Sequence, residues 1–416
     1  MQPARGSAHW YHGWNIVAAA SFITLLSVGM RLGFGPFFLP MSQDLGFSRS
    51  LLSTAIALGM FTYGLGMPLA GWLVGRWGTP AVLLSGAGMV AVSVAWTMQA
   101  RTPAAFMMSF GVLMSVGLSF ISPVALTPVI SRWFTRERGR ALFFLSTGSM
   151  AGMALMTPVL AAGIGAFGWR ATLGGYAAAL VLLTVPVALR VIRDEAPAGS
   201  DTGQPPPSAS AAASLAPAAT LRQAMRSLPF WTIFLGMFAC GFSMNLLGTH
   251  GMPMLMDHGF DATSSSLGIG LIGFVAIFGT LMLGRVADRI ARRKLLAVIY
   301  GVRGLGFFAL VGVGLHWELY LAATLGGIVW AGSIALSSAI LADVYGVRLV
   351  GLLYGLAYVG HQLGGTVSTW LGGFAYEVWG THWIAFGSAG VLLLAAAAIS
   401  LQLPRQAAPL PRPVAA

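Results

Sequence analysis

The stretch LPMSQDLGF at residues 39–47 returns as MPMLMDHGF at residues 252–260, with Pro, Met, Asp, Gly and Phe in the same places. The two copies are separated by 213 residues. Further positions repeat at an offset of 212 or 213 residues: Gly71 and Arg76 correspond to Gly284 and Arg289, and Gly139, Gly148 and Gly152 correspond to Gly351, Gly360 and Gly364. The chain of 416 residues is therefore predicted to contain two copies of one structural unit.

The composition is that of a membrane protein. Hydrophobic residues make up 57% of the chain, charged residues make up 8%, and the mean hydropathy is +0.80. About 20 apolar residues cross a bilayer as a helix. In chain order, helices 1 to 12 are predicted at 13–40, 50–75, 77–100, 102–131, 141–169, 171–189, 227–256, 262–284, 295–315, 319–342, 349–376 and 378–404. We expect an all-α membrane protein whose twelve transmembrane helices form two pseudo-symmetric six-helix bundles.

The net charge of +12 is distributed unevenly between the two sides of this topology. If helix 1 starts in the cytoplasm, eighteen Lys and Arg residues lie on the cytoplasmic side, and only Arg49, Arg101 and Arg170 lie on the other. Such a bias is typical of cytoplasmic loops. It predicts a multi-pass protein of the bacterial plasma membrane, the inner membrane, with both termini in the cytoplasm. It also accounts for the basic composition without a nucleic-acid partner.

A segment rich in Pro, Ala, Ser and Gly, residues 194–220, separates helices 6 and 7. Its composition predicts a flexible linker. The predicted organisation is a cytoplasmic N-terminus, an N-terminal bundle, a cytoplasmic linker, a C-terminal bundle and a cytoplasmic tail, at 1–13, 14–193, 194–228, 229–403 and 404–416. Helix 1 is too long for a signal peptide, so we expect it to be retained. The only cysteine, Cys240, excludes an intrachain disulfide.

The loops after helices 2 and 8 carry a recognisable motif. GWLVGRWGTPAVLL at 71–84 and GRVADRIARRKLL at 284–296 resemble the two copies of the major facilitator signature G-x-L-x-D-R-x-G-R-R. The first copy has Gly75 in place of the usual Asp. In that family the loop helps to close the cytoplasmic side. The resemblance implies a cytoplasmic gate that includes Gly71, Arg76, Gly284, Asp288 and Arg289, with Asp288 as its acidic member.

Four further stretches narrow the resemblance: HGWNIV at 12–17, RWFTRERGRAL at 132–142, FGWR at 167–170 and YGLAYVGHQLGG at 354–365. Together they resemble the bacterial branch of the monocarboxylate transporters and the oxalate:formate antiporters. The resemblance implies secondary active transport of a small organic anion by alternating access. Helix 8 lacks the arginine and the aspartate that members of this branch commonly carry there. Proton coupling and exchange therefore both stay open.

Two arginines lie within predicted helices, where a charged side chain usually faces a cavity or a partner. Arg31 follows Trp14 by 17 residues, which places it about 25 Å along helix 1. The monocarboxylate carriers have a basic residue at a similar depth, so the resemblance implies a substrate contact. A snorkelling or carbonyl-bound structural arginine is the alternative. Arg303, a second candidate for substrate contact, lies about 14 Å beyond Lys294 on helix 9 and near the middle of the membrane. The resemblance implies that helix 9 packs on the outside of the bundle and reaches the cavity only between neighbouring helices.

Polar residues near the middle of helix 11 complete the predicted substrate site. His361 and Gln362 lie twelve and thirteen residues after Leu349, and their counterparts in the first half are Ser149 and Met150. Histidine can donate to a carboxylate or carry a proton. A hydrogen bond between helices is the alternative role. Weaker candidates are Tyr358, Asn245, His250, Trp330 and Ser149, each of which could instead serve in packing.

The distribution of acids indicates the charge of the ligand. Asp44, Asp257, Asp288 and Asp343 all fall at helix ends, and no carboxylate occupies the middle of a predicted helix. Arginine offers a planar fork that matches a carboxylate, so a cavity with Arg and His but no acid favours an anion. We expect a small organic anion, with or without a proton, and the lipid bilayer as partners, and a functional monomer.

The sequence leaves two alternative functions open. Efflux of neutral or amphipathic compounds is a second transport hypothesis, favoured by the many Met, Phe and Trp residues. A non-transporting membrane sensor is a third hypothesis, but sensors usually need a soluble domain. An enzyme is not indicated, because the sequence shows no metal-ligand cluster, phosphate-binding loop or activated nucleophile. No cofactor or metal is expected.

Overall fold

The computed structural model describes residues 11–134, 137–195, 221–287, 289–345 and 347–404, and these ranges are helical with no strand. Helix 1 comprises His12–Leu32 and Gly35–Leu45, helix 2 is Arg49–Trp77, and helix 3 is Thr79–Thr97. Helix 4 is broken into Pro103–Phe106, the π-helix Met107–Met114, Ser115–Phe120 and Pro123–Trp133. Continuous hydrogen bonding joins helices 5 and 6 as Arg138–Arg190, but Gly168, with φ 79° and ψ 165°, divides them.

The second half repeats this order. Helices 7 to 9 are Leu228–Asp257, Ala262–Ala287 and Arg292–Val311, and helix 10 comprises His316–Ile328 and Gly332–Tyr345. Helices 11 and 12 are Val347–Trp379 and Trp383–Ser400. Ten helical segments in the described ranges are long and apolar enough to span a membrane. Helices 5 and 6 count as one of these ten segments, and helix 11 is not among them. The prediction of twelve helices in an all-α membrane fold is confirmed.

Each half has its own apolar core. One cluster of buried side chains runs from Ile16 to Ile192, and a second runs from Ala224 to Leu403. The second cluster also includes Val28, Leu32, Met150 and Met153 of the first half, which mark where the halves meet. The predicted linker lies mostly outside the described residues, although Leu221–Met225 forms a short helix before helix 7. The boundaries of the five predicted regions stay predictions.

The repeated stretch forms the end of the first helix of each half. The chain leaves both helices through a glycine with positive φ, 64° at Gly46 and 92° at Gly259, a conformation that only glycine adopts without strain. The two aspartates of the repeat have different partners. Asp44 forms an ion pair with Arg170 inside the first half, whereas Asp257 pairs with Arg49 across the two halves. Asp257 also contacts His382, which lies 212 residues after Arg170, so the contact within each half is repeated and only the contact across the halves is not.

The halves are packed tightly at this end of the molecule, which we call the closed end. A Cβ atom added at Gly248 of helix 7 would lie 2.8 Å from the carbonyl oxygen of Leu32, and one at Gly373 of helix 11 would lie 2.0 Å from Ser53 Oγ. Helices 5 and 8 meet as closely, because a Cβ at Gly273 would lie 2.6 Å from the amide nitrogen of Ala154. Small residues allow such close approach of membrane helices.

The halves separate toward the opposite end, which we call the open end. Along helices 2 and 11 the contacts between halves reach as far as Gly64, Met67 and Gln362. Beyond them, a Cβ added at Gly71, Gly75 or Gly355 would meet no described atom of the opposite half within 4 Å. The same holds for Gly284 on helix 8. The result is a cleft between the bundles that is sealed at one end.

Candidate functional site

Arg31 lies at the inner limit of the cleft, where the contacts between halves stop. Its Nη1 donates to Oε1 of Gln362 at 3.3 Å, and its guanidinium carbon lies 4.5 Å from the centre of the Tyr63 ring. Nη1 also lies 3.9 Å from the sulfur of Met60, and Nε has no hydrogen-bond partner among the described residues. The structure thus brings together the predicted residues Arg31 and Gln362, and their contact joins the two halves.

A pocket opens beside Arg31 between helices 1, 2 and 4 of the first half. Its empty volume is about 420 Å³, including the space at its mouth. The lining residues are Met30, Arg31, Phe34, Ile56, Gly59, Met60, Tyr63, Phe110, Met114, Ser115 and Leu118. No acid is among them, so Arg31 is the only charged side chain of the pocket lining. A buried guanidinium in apolar surroundings attracts an anion strongly.

Helix 4 is distorted where it lines this pocket. Residues Met107–Met114 form a π-helix, and two of its side chains, Phe110 and Met114, line the pocket. The rings of Phe110 and Phe34 lie 5.2 Å apart between centroids. Short π-helical turns occur frequently at functional sites of membrane and soluble proteins. The distortion therefore coincides with the part of the first half that a ligand of Arg31 would touch.

His361 lies next to this contact on helix 11 and is buried. Its ring stacks on Tyr358 at 4.8 Å with an interplanar angle of 9°. Neither ring nitrogen has a hydrogen-bond partner among the described residues. His361 is therefore a buried polar group, and a hydrogen bond to a ligand would satisfy it.

Arg303 lies apart from the Arg31 pocket, inside the second half. It is fully buried, its guanidinium lies 4.2 Å from the Trp330 ring, and its Nη1 donates to the Trp330 carbonyl oxygen at 3.2 Å. That carbonyl belongs to the break in helix 10, where the helical ladder is interrupted. A crevice of about 290 Å³ adjoins both residues. The predicted contacts of Arg303 and Trp330 with substrate stay predictions.

The remaining weaker candidates have packing contacts. Asn245 donates from Nδ2 to the Gly241 carbonyl oxygen at 2.8 Å. His250 lies at the closed end, with Nε2 2.8 Å from the Thr369 carbonyl oxygen and 3.4 Å from Ser53 Oγ. Ser149 is half-buried on helix 5 beside Met150, which meets helix 8. His250 thus contributes to the seal between the halves, away from the Arg31 pocket.

Four of the five residues of the predicted cytoplasmic gate lie among the described residues. Arg76 and Arg289 are exposed, and Arg76 stacks on Trp72 of its own helix at 5.5 Å. Gly71 and Gly284 approach no described residue of the opposite half, as noted above. Asp288, the acidic member, lies outside the described residues. The role of these five residues as a gate stays a prediction.

The closed end carries an ion cluster that the sequence analysis did not identify. Arg49 donates from Nη2 to Oδ1 of Asp257 at 2.9 Å, and His382 Nε2 lies 2.8 Å from Oδ2 of the same carboxylate. Arg49 also stacks on Tyr376 at 4.0 Å. Burial and the neighbouring His382 lower the pKa of His258, the residue after helix 7. We call Arg49, Asp257, Tyr376 and His382 the outer latch, because they join the two halves at the end opposite the predicted cytoplasmic gate.

Most of the pocket lining could not be predicted from the sequence. Tyr63, Met60, Phe110 and Met114 are apolar or aromatic residues on helices that are apolar throughout, so their types carry no signal. Arg31 was visible because a charge stands out in such a helix.

Comparison with known proteins agrees with this architecture. The family model of the Major Facilitator Superfamily matches residues 17–316 and 274–416. The uncharacterized MFS-type transporter YcxA of Bacillus subtilis (strain 168) is 26% identical over 91% of this chain and 90% of its own length. Monocarboxylate transporter 11 of Homo sapiens is 28% identical over 94% and 83%, and the oxalate:formate antiporter of Oxalobacter formigenes is 21% identical over 82% and 80%.

A solved structure shares the fold at low identity. The bacterial homolog of the human lysosomal transporter Spinster, in an inward-facing and occupied conformation, aligns with a TM-score of 0.67 at 15% identity. The alignment covers 95% of this chain and 97% of that chain. The fold has two six-helix halves that a sequence repeat relates, and the family model matches from residue 17 to residue 416. This chain therefore belongs to the major facilitator superfamily of membrane transporters.

Proposed function

We propose that this transporter is a secondary carrier of a small organic anion, with Arg31 as the residue that binds the anionic group. The observation that carries the proposal is the pocket at the inner limit of the cleft, whose only charged side chain is Arg31. A carboxylate accepts two hydrogen bonds from a guanidinium and matches its geometry. The names of two relatives, a monocarboxylate transporter and an oxalate:formate antiporter, support the same class of substrate.

The excess of Lys and Arg in the loops at the open end supports a cytoplasmic location for that end, in the plasma membrane of a bacterium. The conformation described here is then open to the cytoplasm and sealed to the outside. Transport proceeds by alternating access: the outer latch opens as the predicted cytoplasmic gate closes, while the anion stays bound between the halves. Coupling to a proton and exchange for a second anion are both compatible with this cycle.

Residues of both halves meet around the proposed ligand. Arg31 already donates to Gln362 across the cleft, and the ligand carboxylate replaces the amide oxygen as the acceptor. Gln362 then donates from its amide nitrogen, and His361, with no other partner among the described residues, donates from its ring. A carboxylate held by Arg31 from one side and by helix 11 from the other draws the halves together.

The proposal is tested with purified protein in proteoliposomes. Uptake of radiolabelled monocarboxylates is expected to exceed that of protein-free vesicles, and an imposed pH gradient then separates proton coupling from exchange. Amines and uncharged amides of the same carbon skeleton serve as controls, and we expect neither to compete. Competition by the amine or the amide, with none by any carboxylate, would contradict the assignment of an anion.

The outer latch makes a separate prediction about the conformational equilibrium. Arg49→Asp or Asp257→Arg alone places like charges across the latch, and each is expected to increase external labelling of a cysteine introduced at Ser53 by about two- to fivefold. Ser53 is buried at the closed end, so a membrane-impermeant maleimide reports on its opening. The double variant restores the opposite charges and is expected to return labelling toward the parent level. Equal labelling of all variants would show that the latch does not hold the halves together.

A further inference from the structure

The pocket beside Arg31 is polar at one end and apolar at the other. Tyr63 lies seven residues from Ile56 on helix 2, which separates the two levels by about 10 Å along the helix. Arg31 stacks on Tyr63 at the level nearer the open end of the cleft. Phe34, Ile56 and Phe110 lie at the level nearer the closed end. The pocket therefore has a charged head region and an apolar extension beyond it.

The extension has no second site for a charge. Its lining consists of aromatic rings, thioethers and aliphatic groups, and the polar lining residues are Arg31, Tyr63 and Ser115. Ser115 is held close to the backbone of helix 2, since a Cβ at Gly59 would lie 2.7 Å from Ser115 Oγ. A second carboxylate placed among Phe34, Ile56 and Phe110 would lose its hydration without gaining a partner.

The apolar part of the pocket has an aromatic wall. Phe34 and Phe110 both line the pocket, and their ring centroids lie 5.2 Å apart. Phe106 stacks behind Phe110 at 5.3 Å with an interplanar angle of 15°, so the aromatic wall is continuous. Methionine side chains, here Met30, Met60 and Met114, adapt to ligands of irregular shape and favour contact with rings.

We propose that the substrate is a monocarboxylate with a bulky apolar tail, either aromatic or branched aliphatic, and that dicarboxylates and two-carbon acids are poor substrates. This inference rests on the proposed function, because it assumes that Arg31 binds the carboxylate. The tail lies along helices 1, 2 and 4, against Phe34, Ile56, Phe110 and Met114. Selectivity for the tail then depends on the first half alone, whereas the carboxylate contacts both Arg31 and helix 11.

Competition against uptake of labelled 3-phenylpropionate in proteoliposomes tests the proposal. Unlabelled 3-phenylpropionate and isovalerate are expected to inhibit at concentrations about 10- to 100-fold lower than acetate, since burying a side group of this size contributes that much to affinity. Oxalate and succinate are expected to inhibit no better than acetate. Equal potency of acetate and 3-phenylpropionate, or stronger inhibition by a dicarboxylate, would overturn the tail assignment.

Two pocket variants with opposite changes in volume sharpen the test. Ile56→Trp fills the extension and is expected to remove the advantage of 3-phenylpropionate over acetate. Phe110→Ala shortens the aromatic wall and is expected to lower the advantage about tenfold. Phe61→Ala, an exposed ring on the same helix 2, is the matched control and leaves the ranking unchanged. Retained preference for 3-phenylpropionate in Ile56→Trp would contradict the proposal.

The results separate this inference from the function on which it rests. If carboxylates compete but their potency does not depend on the tail, the protein is an anion carrier and the tail assignment is wrong. If 3-phenylpropionamide, the uncharged amide of the same skeleton, competes as well as the acid, the tail assignment stands and the anion assignment is wrong. Thermal unfolding of each purified variant verifies that it is folded before its ranking is compared.

Discussion

Replacing Arg31 by Gln is expected to lower kcat/KM for anion uptake by about 10- to 100-fold. Hydrogen bonds to a charged group contribute about 1.5–3 kcal/mol, and each 1.4 kcal/mol corresponds to a factor of ten. Gln keeps a donor at the site but removes the charge, and Arg31 is the only charged residue of the pocket lining. The loss should be larger for the acid than for the uncharged amide of the same skeleton, because only the acid depends on the charge.

Two variants give this experiment its controls. Arg101→Gln removes an arginine from an exposed position in the loop between helices 3 and 4, and uptake is expected to stay at the parent level. Arg31→Lys keeps the charge but loses the planar fork, so partial activity is expected. If Arg31→Gln leaves uptake and anion preference unchanged, the arginine is structural and does not bind the substrate.

Replacing Gly373 by Val is expected to lower transport by about tenfold or more, because it prevents closure of the end that is proposed to face the outside. A Cβ at this position would lie 2.0 Å from Ser53 Oγ and 2.5 Å from the backbone oxygen of Arg49. The backbone of helix 2 cannot move away without separating the halves. The variant is therefore expected to favour the state open to the outside, with the substrate site unchanged in composition.

External labelling distinguishes this effect from misfolding. A cysteine introduced at Ser53 is expected to react with an impermeant maleimide in Gly373→Val and to be protected in the parent. The native Cys240 is fully buried and contributes little background. Gly88→Val, at an exposed site with no described atom within 4 Å of an added Cβ, is the matched control and should retain transport. Normal transport by Gly373→Val would show that the contact between helices 2 and 11 is not part of the cycle.

The fold could be predicted from the sequence because its signals are long and repeated. The number of helices follows from apolar runs that are long enough to span a membrane. The two halves follow from the repeat that contains Asp44 and Asp257. Arg31 could be predicted because a charged residue in an otherwise apolar membrane helix usually faces a cavity or a partner. Gln362 was found through its place near the middle of helix 11, and the structure joins it to Arg31.

Other parts of the site depended on contacts that no local pattern reports. Both aspartates of the repeat have the same sequence context, yet only Asp257 pairs with a residue of the other half, Arg49 of helix 2. The apolar wall formed by Phe110 and Met114 depends on a π-helical distortion that the residue types of helix 4 do not indicate. His250 looked like a ligand candidate, but the structure places it in the seal at the closed end.

The hydrogen bond between Arg31 and Gln362 has a consequence for any measured binding constant. In the unloaded protein the guanidinium already has an internal ligand, the amide oxygen, at 3.3 Å. An arriving carboxylate has to displace that oxygen, so its observed dissociation constant reports the difference between an external and a built-in acceptor. A modest measured affinity is therefore compatible with a strong contact between Arg31 and the carboxylate. The displaced Gln362 amide can then donate a hydrogen bond to the bound carboxylate.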